Sequence, residues 1–441
     1  MLVTQQGVFD VPPRAAIGSR QGVWLRVLLV ALCALLVFVT ESTFRTRKIS
    51  ASAPALDAQV LAQLTVWGLA GLLGLLSGGL APRNIKGPTA VCALFIFVML
   101  LSAGYSPEMR LTAVSAVGYG AFFAFALALR RHCSDREILT GLGIGLSLVV
   151  LSAPILFFAH AEPAKALQEN ATAQQRIHGL AEHAAALGAL AAALVIVSVS
   201  LLRMDGLSRW GARMWKFVAL GALVVLGLAF AKTAIIALCV SGLLMVWRRR
   251  PLLRALSPIW AVGVAAFVAI VAAVGIDNLL PRSIVHFLSR GHGSSNDVGT
   301  LTGRTRIWEL VFSKIERSPL FGYGWNTGRI EIYDKASRFP QIHSHNMYLQ
   351  CLLYLGIVGF VLFAAMIVYM LAAFARRPLL WRDWIAIYLL ILGLAEQSSL
   401  TNMPTAYTLL WLLVIASLRP SDSPSNPAEQ RTPVSTAGPA R

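Results

Sequence analysis

Long apolar runs recur along nearly the whole chain, and they constrain its fold more than any other feature. A helix needs about 20 apolar residues to cross roughly 30 Å of hydrocarbon, and runs of this kind repeat throughout the sequence. A transmembrane β-barrel would instead show short segments of alternating polarity. Hydrophobic residues make up 57% of the 441 residues and charged residues only 13%, unlike a soluble protein. The sequence therefore predicts an all-α polytopic membrane protein.

The apolar pattern predicts about twelve transmembrane helices, with boundaries set to within a few residues. They lie near residues 24–40, 60–81, 88–104, 111–129, 138–159, 180–202, 214–231, 233–248, 257–276, 346–374, 381–398 and 403–418. The predicted regions are an N-terminal segment 1–23, nine helices in 24–276, a long polar loop 277–344, three helices in 345–418 and a tail 419–441. The tail is rich in Pro and Ser, so we expect it to be disordered.

The apolar stretch from Phe217 to Trp247 decides the topology, because it is too long for one comfortable span and short for two. If it forms two helices, the basic clusters at 203–216 and 248–254 lie on the same side of the membrane as both termini. The short connections on the other side then keep few cations, as the positive-inside rule requires. We therefore predict two helices, cytoplasmic termini and a long loop, 277–344, outside the membrane.

The net charge of +18 does not indicate a nucleic-acid partner. Most Lys and Arg residues lie in short clusters between apolar runs, which is typical of topology signals. The five cysteines lie in apolar runs or beside the basic cluster Arg130–Arg131, so no disulfide framework is indicated. No clear cleavage site follows the first apolar run, which favours a retained helix over a removed signal peptide.

The long loop contains a segment with a helical pattern, 301–315, with Thr302 as a candidate N-cap and Pro319 beyond its end. One face of this helix is apolar, and its members are Ile307, Leu310, Val311 and Ile315. Arg304 and Arg306 would lie in the first turn, where the helix dipole disfavours cations. Binding of a phosphate group at this helix end would explain them. The alternative is an amphipathic helix lying on lipid headgroups.

Cations on the outer side can neutralise a diphosphate leaving group by hydrogen bonds, without a metal ion. The candidates are Arg176, Arg304, Arg306, Lys232 and Arg338. Lys232 interrupts the apolar stretch at its outer turn, where a cation costs a few kcal/mol unless it is paired or hydrated. The alternative for Lys232 is a side chain that extends to the interface.

His343 lies at the end of the loop, His345 directly follows the loop, and an apolar run begins after them. On a strand their rings would share one face and could bind a metal, whereas on a helix they would point apart. No Asp-x-Asp or Cys cluster completes a metal site, so we predict no metal and no cofactor. A histidine at the mouth of a helix can instead act as a general base on a sugar hydroxyl.

These segments resemble the O-antigen ligase and polymerase superfamily of bacterial inner-membrane proteins. The resemblance rests on 301–308, on Pro319-Leu320-Phe321-Gly322-Tyr323-Gly324, and on His345-Asn346 followed at ligase spacing by Gly356 and Gly359. Arg176-Ile177-His178-Gly179, opening the sixth span, is similar to the Arg-x-x-Gly segment of the family, although Leu180-Ala181-Glu182-His183 replaces its usual Asn-Pro-Asn. Lys232 stands where many members carry Arg, which keeps the charge but loses the bidentate fork.

The resemblance, which covers about 170–360, implies a membrane-embedded glycosyltransferase similar to type C. It would move O-antigen from undecaprenyl diphosphate to lipid A-core at the periplasmic face of the inner membrane, with inversion. His345 has the position of the essential histidine and would deprotonate the acceptor, while Arg176, Arg304 and Arg306 would hold the diphosphate. Further candidates for substrate binding are Lys232, Arg338, His343, Asn346 and His178.

Three alternatives to the ligase remain open. A polymerase would use a second lipid-linked repeat unit as acceptor, and a protein O-oligosaccharyltransferase would use a Ser. A flippase for lipid-linked glycans would also need many helices, but transporters place charges and broken helices near the membrane midplane. In this sequence the polar chemistry is gathered in one loop, which favours the transferase. Gly356 and Gly359 are interpreted as sites of close helix packing.

Overall fold

The structure, a computed structural model, describes residues 20–43, 57–159, 167–169, 175–250, 304–332, 343–396 and 400–418. The first helices are α1 (Arg20–Glu41), α2 (Ala58–Leu76), α3 (Pro88–Leu101), α4 (Met109–His132), α5 (Asp135–Val150), α6 (Ser152–Phe158) and α7 (Ala184–Leu202). The others are α8 (Arg209–Ala229), α9 (Lys232–Arg249), α10 (Arg304–Arg317), α11 (Gly328–Glu331), α12 (Met347–Arg376), α13 (Leu380–Leu392) and α14 (Ala406–Ala416). Two short strands, β1 (Leu167–Glu169) and β2 (Gln175–Ile177), pair in antiparallel fashion.

Within these residues, seven helices are long and apolar enough to cross a membrane. The predicted all-α polytopic membrane fold is therefore confirmed. Helices also occupy the other predicted spans that the structure describes, although several are short. The predicted span 257–276 lies outside the described residues, so the total of twelve stays a prediction, as do the domain boundaries.

The stretch from Phe217 to Trp247 forms two helices, as predicted. α8 ends at Ala229, Phe230 adopts a left-handed backbone conformation with φ 51°, and α9 begins at Lys232. Such a residue reverses the chain and ends the hydrogen-bonded ladder. The basic residues at the start of α8 and at the end of α9, as far as residue 250, therefore lie at the same end of the helix bundle.

Small residues allow the central helix α7 to pack closely against α5 and α8. α7 is Ala- and Gly-rich and almost entirely buried. A Cβ atom on Gly188 would lie 2.1 Å from the Cβ of Ala231, at the start of the break between α8 and α9. This close packing brings the α8–α9 break against the beginning of α7.

Two predicted spans differ from the structure. The sixth span begins at Ala184 and not at 180, because His183 caps α7 by accepting a hydrogen bond from the backbone of Ala186. Arg176 therefore does not open a helix but lies on β2, opposite Gln168. The fifth span, predicted as 138–159, begins slightly earlier, because α5 and α6 together form one apolar span, Asp135–Phe158, with a turn at Leu151.

Helix α12 is broken at Gly356, whose φ of 59° and ψ of −160° fall in a region that is essentially restricted to glycine. The turns 319–324 pair with the backbone at this break. The N–H of Ile357 donates to the carbonyl of Pro319 at 2.8 Å, and the N–H of Gly324 donates to the carbonyl of Tyr354 at 2.8 Å. The loop thus supplies the hydrogen bonds that the broken helix cannot make itself.

The glycine spacing of the motif has a different cause from the close helix packing that we predicted. A Cβ on Gly356 would lie 2.3 Å from the carbonyl oxygen of Leu320, so the loop backbone occupies that space. A Cβ on Gly359 would lie 2.2 Å from the Cβ of Leu355, on the turn before it. Both glycines therefore leave the space that the broken helix α12 and the loop beside it occupy.

Trp325 fixes the end of this loop in the protein interior, where its side chain is fully buried. Its backbone N–H donates to Ser102 Oγ at 3.1 Å, and its Nε1 donates to Ser115 Oγ at 3.1 Å and to the carbonyl of Asn402 at 3.3 Å. Its carbonyl accepts from Ser106 Oγ. These bonds join the loop to α3, α4 and the segment before α14, giving the site a rigid base.

Candidate active site

His345 lies immediately before α12, at the mouth of the helix, as predicted. The backbone of His345 has φ 52°, a left-handed conformation that is uncommon for a residue other than glycine. Asn346 is the N-cap, and its Oδ1 accepts hydrogen bonds from the N–H groups of Tyr348 and Leu349, each at 3.0 Å. The cap fixes the start of the helix and so fixes the backbone that carries His345.

The rings of His343 and His345 are in contact. Their centroids lie 4.2 Å apart at an interplanar angle of 63°. The segment between them is a bend, and so it is neither the strand nor the helix considered from the sequence. The left-handed backbone at His345 lets the two rings meet without a strand.

The end of α13 is hydrogen-bonded to the beginning of α12. Asn346 Nδ2 donates to the carbonyl of Leu394 at 3.0 Å, and the N–H of Met347 donates to the carbonyl of Gly393 at 2.8 Å. Tyr348 Oη donates to the carbonyl of Leu390 at 2.9 Å. Three consecutive residues at the start of α12 are therefore held against one helix end.

This arrangement places Glu396 beside His345, which the sequence did not predict. Glu396 Oε2 lies 3.4 Å from His345 Nδ1, and the two side chains are 22% and 21% exposed. The signal in the sequence was a carboxylate near the outer end of the predicted apolar span 381–398, whose other carboxylate, Asp383, lies near the opposite end. Its partner was not visible because the two residues are 51 positions apart.

Helix α10 packs beside the histidines. Trp308 Nε1 donates to the carbonyl of Ser344 at 2.9 Å, and the N–H of Ser344 donates to Gln350 Oε1 at 2.7 Å. The predicted helix is confirmed, with its end at Arg317 before Pro319. Its start at residue 304 puts Arg304 and Arg306 in the first turn, before Trp308.

The apolar face predicted for α10 is only partly buried. Val311 is fully buried, but Leu310 is 37% exposed. The reason is that α10 is covered mainly by α12 and the segment before it, along a narrow line of contact. The side chains of Arg304 and Arg306, together with Arg338 and the predicted N-cap Thr302, lie outside the described residues.

Arg176 is buried, with 6% of its surface exposed, and contacts the break between α8 and α9. Its Nε donates to the carbonyl of Ala229 at 2.8 Å, and one terminal nitrogen donates to the carbonyl of Phe230 at 3.2 Å. A cation at the C-terminal end of a helix is favoured by the helix dipole. These bonds occupy two of the five N–H donors of the guanidinium group.

Lys232 lies at the turn within the apolar stretch, as predicted, and Arg176 contacts the same break. It is the first residue of α9, is partly buried, and its Nζ lies 5.7 Å from the centre of the Phe230 ring. Such a contact stabilises a cation by about 0.5–1 kcal/mol at exposed sites and more where water is excluded. The α8–α9 break therefore gathers two of the predicted phosphate-binding cations.

His178 directly follows β2, two residues after Arg176. Its Nδ1 lies 3.1 Å from the carbonyl oxygen of Ala181. The structure thus collects the predicted residues into two groups. His343, His345 and Asn346 lie together at the start of α12, and Arg176, Lys232 and His178 lie at or near the α8–α9 break.

Part of the chain is similar in sequence to known proteins. Residues 226–364 match a family model described as O-antigen ligase. The exopolysaccharide production protein ExoQ of Rhizobium meliloti (strain 1021) is 28% identical over 146 residues, which are 31% of this chain and 31% of that protein. The chain therefore matches less than a third of the length of this relative. Over these residues the resemblance to the O-antigen ligase and polymerase superfamily is confirmed.

Proposed function

We propose that this O-antigen ligase-type membrane protein transfers a glycan from a polyprenyl diphosphate to the hydroxyl group of an acceptor, without a metal ion or cofactor. The observation that carries the proposal is the position of His345. Its imidazole is one-fifth exposed at the mouth of α12, within the segment that matches the ligase family. In its full form the proposal is transfer of O-antigen from undecaprenyl diphosphate to lipid A-core at the periplasmic face of the bacterial inner membrane.

The reaction that we propose is a direct displacement at the anomeric carbon. His345 removes the proton of the acceptor hydroxyl while the new oxygen–carbon bond forms and the bond from carbon to the diphosphate breaks. The diphosphate leaves with the electron pair. Arg304 and Arg306 in the first turn of α10, with Arg176 and Lys232 at the α8–α9 break, would stabilise its charge by hydrogen bonds.

Two of the proposed substrate-binding residues acquire more specific roles. Asn346 acts as the N-cap of α12 and contacts α13, so we propose that it positions His345 and does not hold the sugar. Arg176 uses two donors on the end of α8, so it supports the site as well as the diphosphate. Arg338 remains a candidate for the diphosphate.

A polymerase is the second candidate, and the similarity to ExoQ favours it, because the name of that relative describes production of an exopolysaccharide. The proposed donor and the role of His345 are then unchanged. Only the acceptor differs, since a polymerase extends another lipid-linked chain.

The test is a transfer assay with purified protein and glycan linked to undecaprenyl diphosphate, with lipid A-core or with no second acceptor. Product on lipid A-core supports the ligase, and longer lipid-linked chains support the polymerase. We expect His345→Ala to lower the rate by about 10²–10⁴-fold, the usual contribution of a general base. His132→Ala, which removes a histidine from the opposite end of the bundle, is the control and should keep the normal rate.

Two results would contradict the proposal. Folded His345→Ala protein that transfers glycan at the normal rate would exclude His345 as the base. Glycan that crosses the membrane of a vesicle without forming any covalent product would indicate a flippase.

A further inference from the structure

We propose that Glu396 is a positioning residue for His345, which it holds with the proton on Nδ1 so that Nε2 faces the acceptor hydroxyl. This inference rests on the proposed function, in which His345 is the base. It adds a residue from the turn after α13, one that lies beyond the segment 226–364 matched by the ligase family.

The first support is that hydrogen bonds between the start of α12 and the end of α13 hold Glu396 and His345 in contact. Hydrogen bonds from Asn346, Met347 and Tyr348 reach the end of α13, so the two backbone segments cannot slide past each other without breaking all three. Glu396 follows this end directly. Because these backbone bonds fix the position of Glu396, its carboxylate lies beside the His345 ring. The distance from Oε2 to Nδ1 is 3.4 Å.

The second support is the conformation of His345. A left-handed backbone is unfavourable for a residue with a Cβ and persists only where the surroundings hold it. Here it turns the ring towards Glu396 on one side and towards the ring of His343 on the other. The strained residue is thus the one whose ring orientation matters for the proposed chemistry.

The chemical consequence concerns which nitrogen carries the proton. A carboxylate beside Nδ1 accepts a hydrogen bond from the Nδ1–H group. The lone pair of Nε2 is then free to receive a proton. As the acceptor O–H bond breaks, its proton moves to Nε2 and the ring becomes positively charged. The carboxylate then stabilises the imidazolium until Nε2 returns the proton to water, as the orienting acid does in hydrolytic triads.

Partial exposure agrees with a working pair. Each side chain keeps about a fifth of its surface exposed, so an acceptor hydroxyl can approach the ring while Glu396 stays in contact with it. A purely structural ion pair would need no open surface beside the histidine.

The experiment compares Glu396→Ala, Glu396→Gln and Glu396→Asp in the transfer assay. We expect Glu396→Ala to lower kcat by about 10–100-fold with little change in KM, as for other residues that orient a reacting group. Glu396→Gln keeps an oxygen acceptor but loses the charge, so its kcat should be intermediate, and Glu396→Asp should recover part of the loss. Glu316→Gln changes an exposed carboxylate on α10 and should have no effect.

A second measurement does not depend on activity. The ¹⁵N chemical shifts of the His345 ring, assigned by their disappearance in His345→Asn, should show the Nδ1–H tautomer in the wild type and a mixture in Glu396→Ala. If folded Glu396→Ala keeps the wild-type kcat and the wild-type tautomer, the role of Glu396 is overturned, but the proposed function is not. Wild-type protein without transfer activity would overturn the proposed function, and the tautomer would still test the pairing.

Discussion

The two ends of the helix bundle are held together in different ways. At one end, which we call the basic end, arginine side chains close the gaps between helices. Arg130 pairs with Asp135, Arg131 donates to the carbonyl of Gly78 at 2.9 Å, and Arg248 pairs with Asp383 at 2.6 Å. These are contacts between regular helix ends and long charged side chains.

At the opposite end, which we call the histidine end, the backbone itself makes most of the connections. The loop 319–324 is hydrogen-bonded to the broken helix α12, and the beginning of α12 is hydrogen-bonded to the end of α13. Three described residues other than glycine have positive φ, namely Phe230, Asn326 and His345, and all lie at this end. The chain accepts strain where the candidate catalytic residues lie.

The difference teaches that the two ends are held together by different kinds of contact, and that only the histidine end carries the proposed chemistry. Charged side chains at the basic end join neighbouring helices. Strained backbone and partly exposed side chains at the histidine end serve the proposed reaction. Substitutions at the two ends should therefore have different consequences, and the following experiments test that separation.

The largest expected effect is that of Gly356→Ala. The new Cβ would enter a conformation restricted to glycine and meet the carbonyl of Leu320. Strain and overpacking together should destabilise the protein by about 4–6 kcal/mol, the upper part of their summed ranges. The yield of folded protein in detergent measures this. Gly68→Ala, where a Cβ would contact nothing within 4 Å, is the control, and a normal yield for both would mean that the break in α12 is dispensable.

The next effect is that of Asp383→Ala at the basic end. Asp383 is 1% exposed and accepts hydrogen bonds from Arg248 and Arg382, so its removal leaves buried cations without their carboxylate. We expect a loss of about 3–5 kcal/mol of stability, measured by thermal unfolding. Asp205→Ala, at an exposed turn, should change little. The molecules that remain folded should keep their normal kcat, and a lower kcat would contradict the separation of the two ends.

The smallest effect compares two helix caps. Asn346→Ala and Ser208→Ala each remove a side chain that caps a helix, at the histidine end and at the basic end respectively. Each should lower stability by about 1 kcal/mol. Only Asn346→Ala should also lower kcat, because His345 is attached to its backbone. An equal fall of kcat in Ser208→Ala would show that activity follows stability and not position.

Much of the fold was predictable because it depends on local composition. Long apolar runs can only be helices in a membrane, since every backbone polar group must be satisfied internally. The turn between α8 and α9 followed from the positions of basic clusters, and the loop helix α10 followed from its apolar spacing. Gly356 and His345 were also recognised from their spacing. The structural role of Gly356 was not predicted correctly.

What the sequence alone determined is therefore the membrane-embedded class of the protein, its helices, and the identity of the histidine at the mouth of α12. Only the tertiary structure decided that the loop 319–324 packs against Gly356, that Arg176 caps the end of α8, and that Glu396 contacts His345. The physical reason is that these contacts join residues 36 to 53 positions apart, from Leu320 to Gly356, from Arg176 to Ala229 and from His345 to Glu396. Periodicity reports which face of a helix is apolar, but contacts of this range depend on how the helices pack.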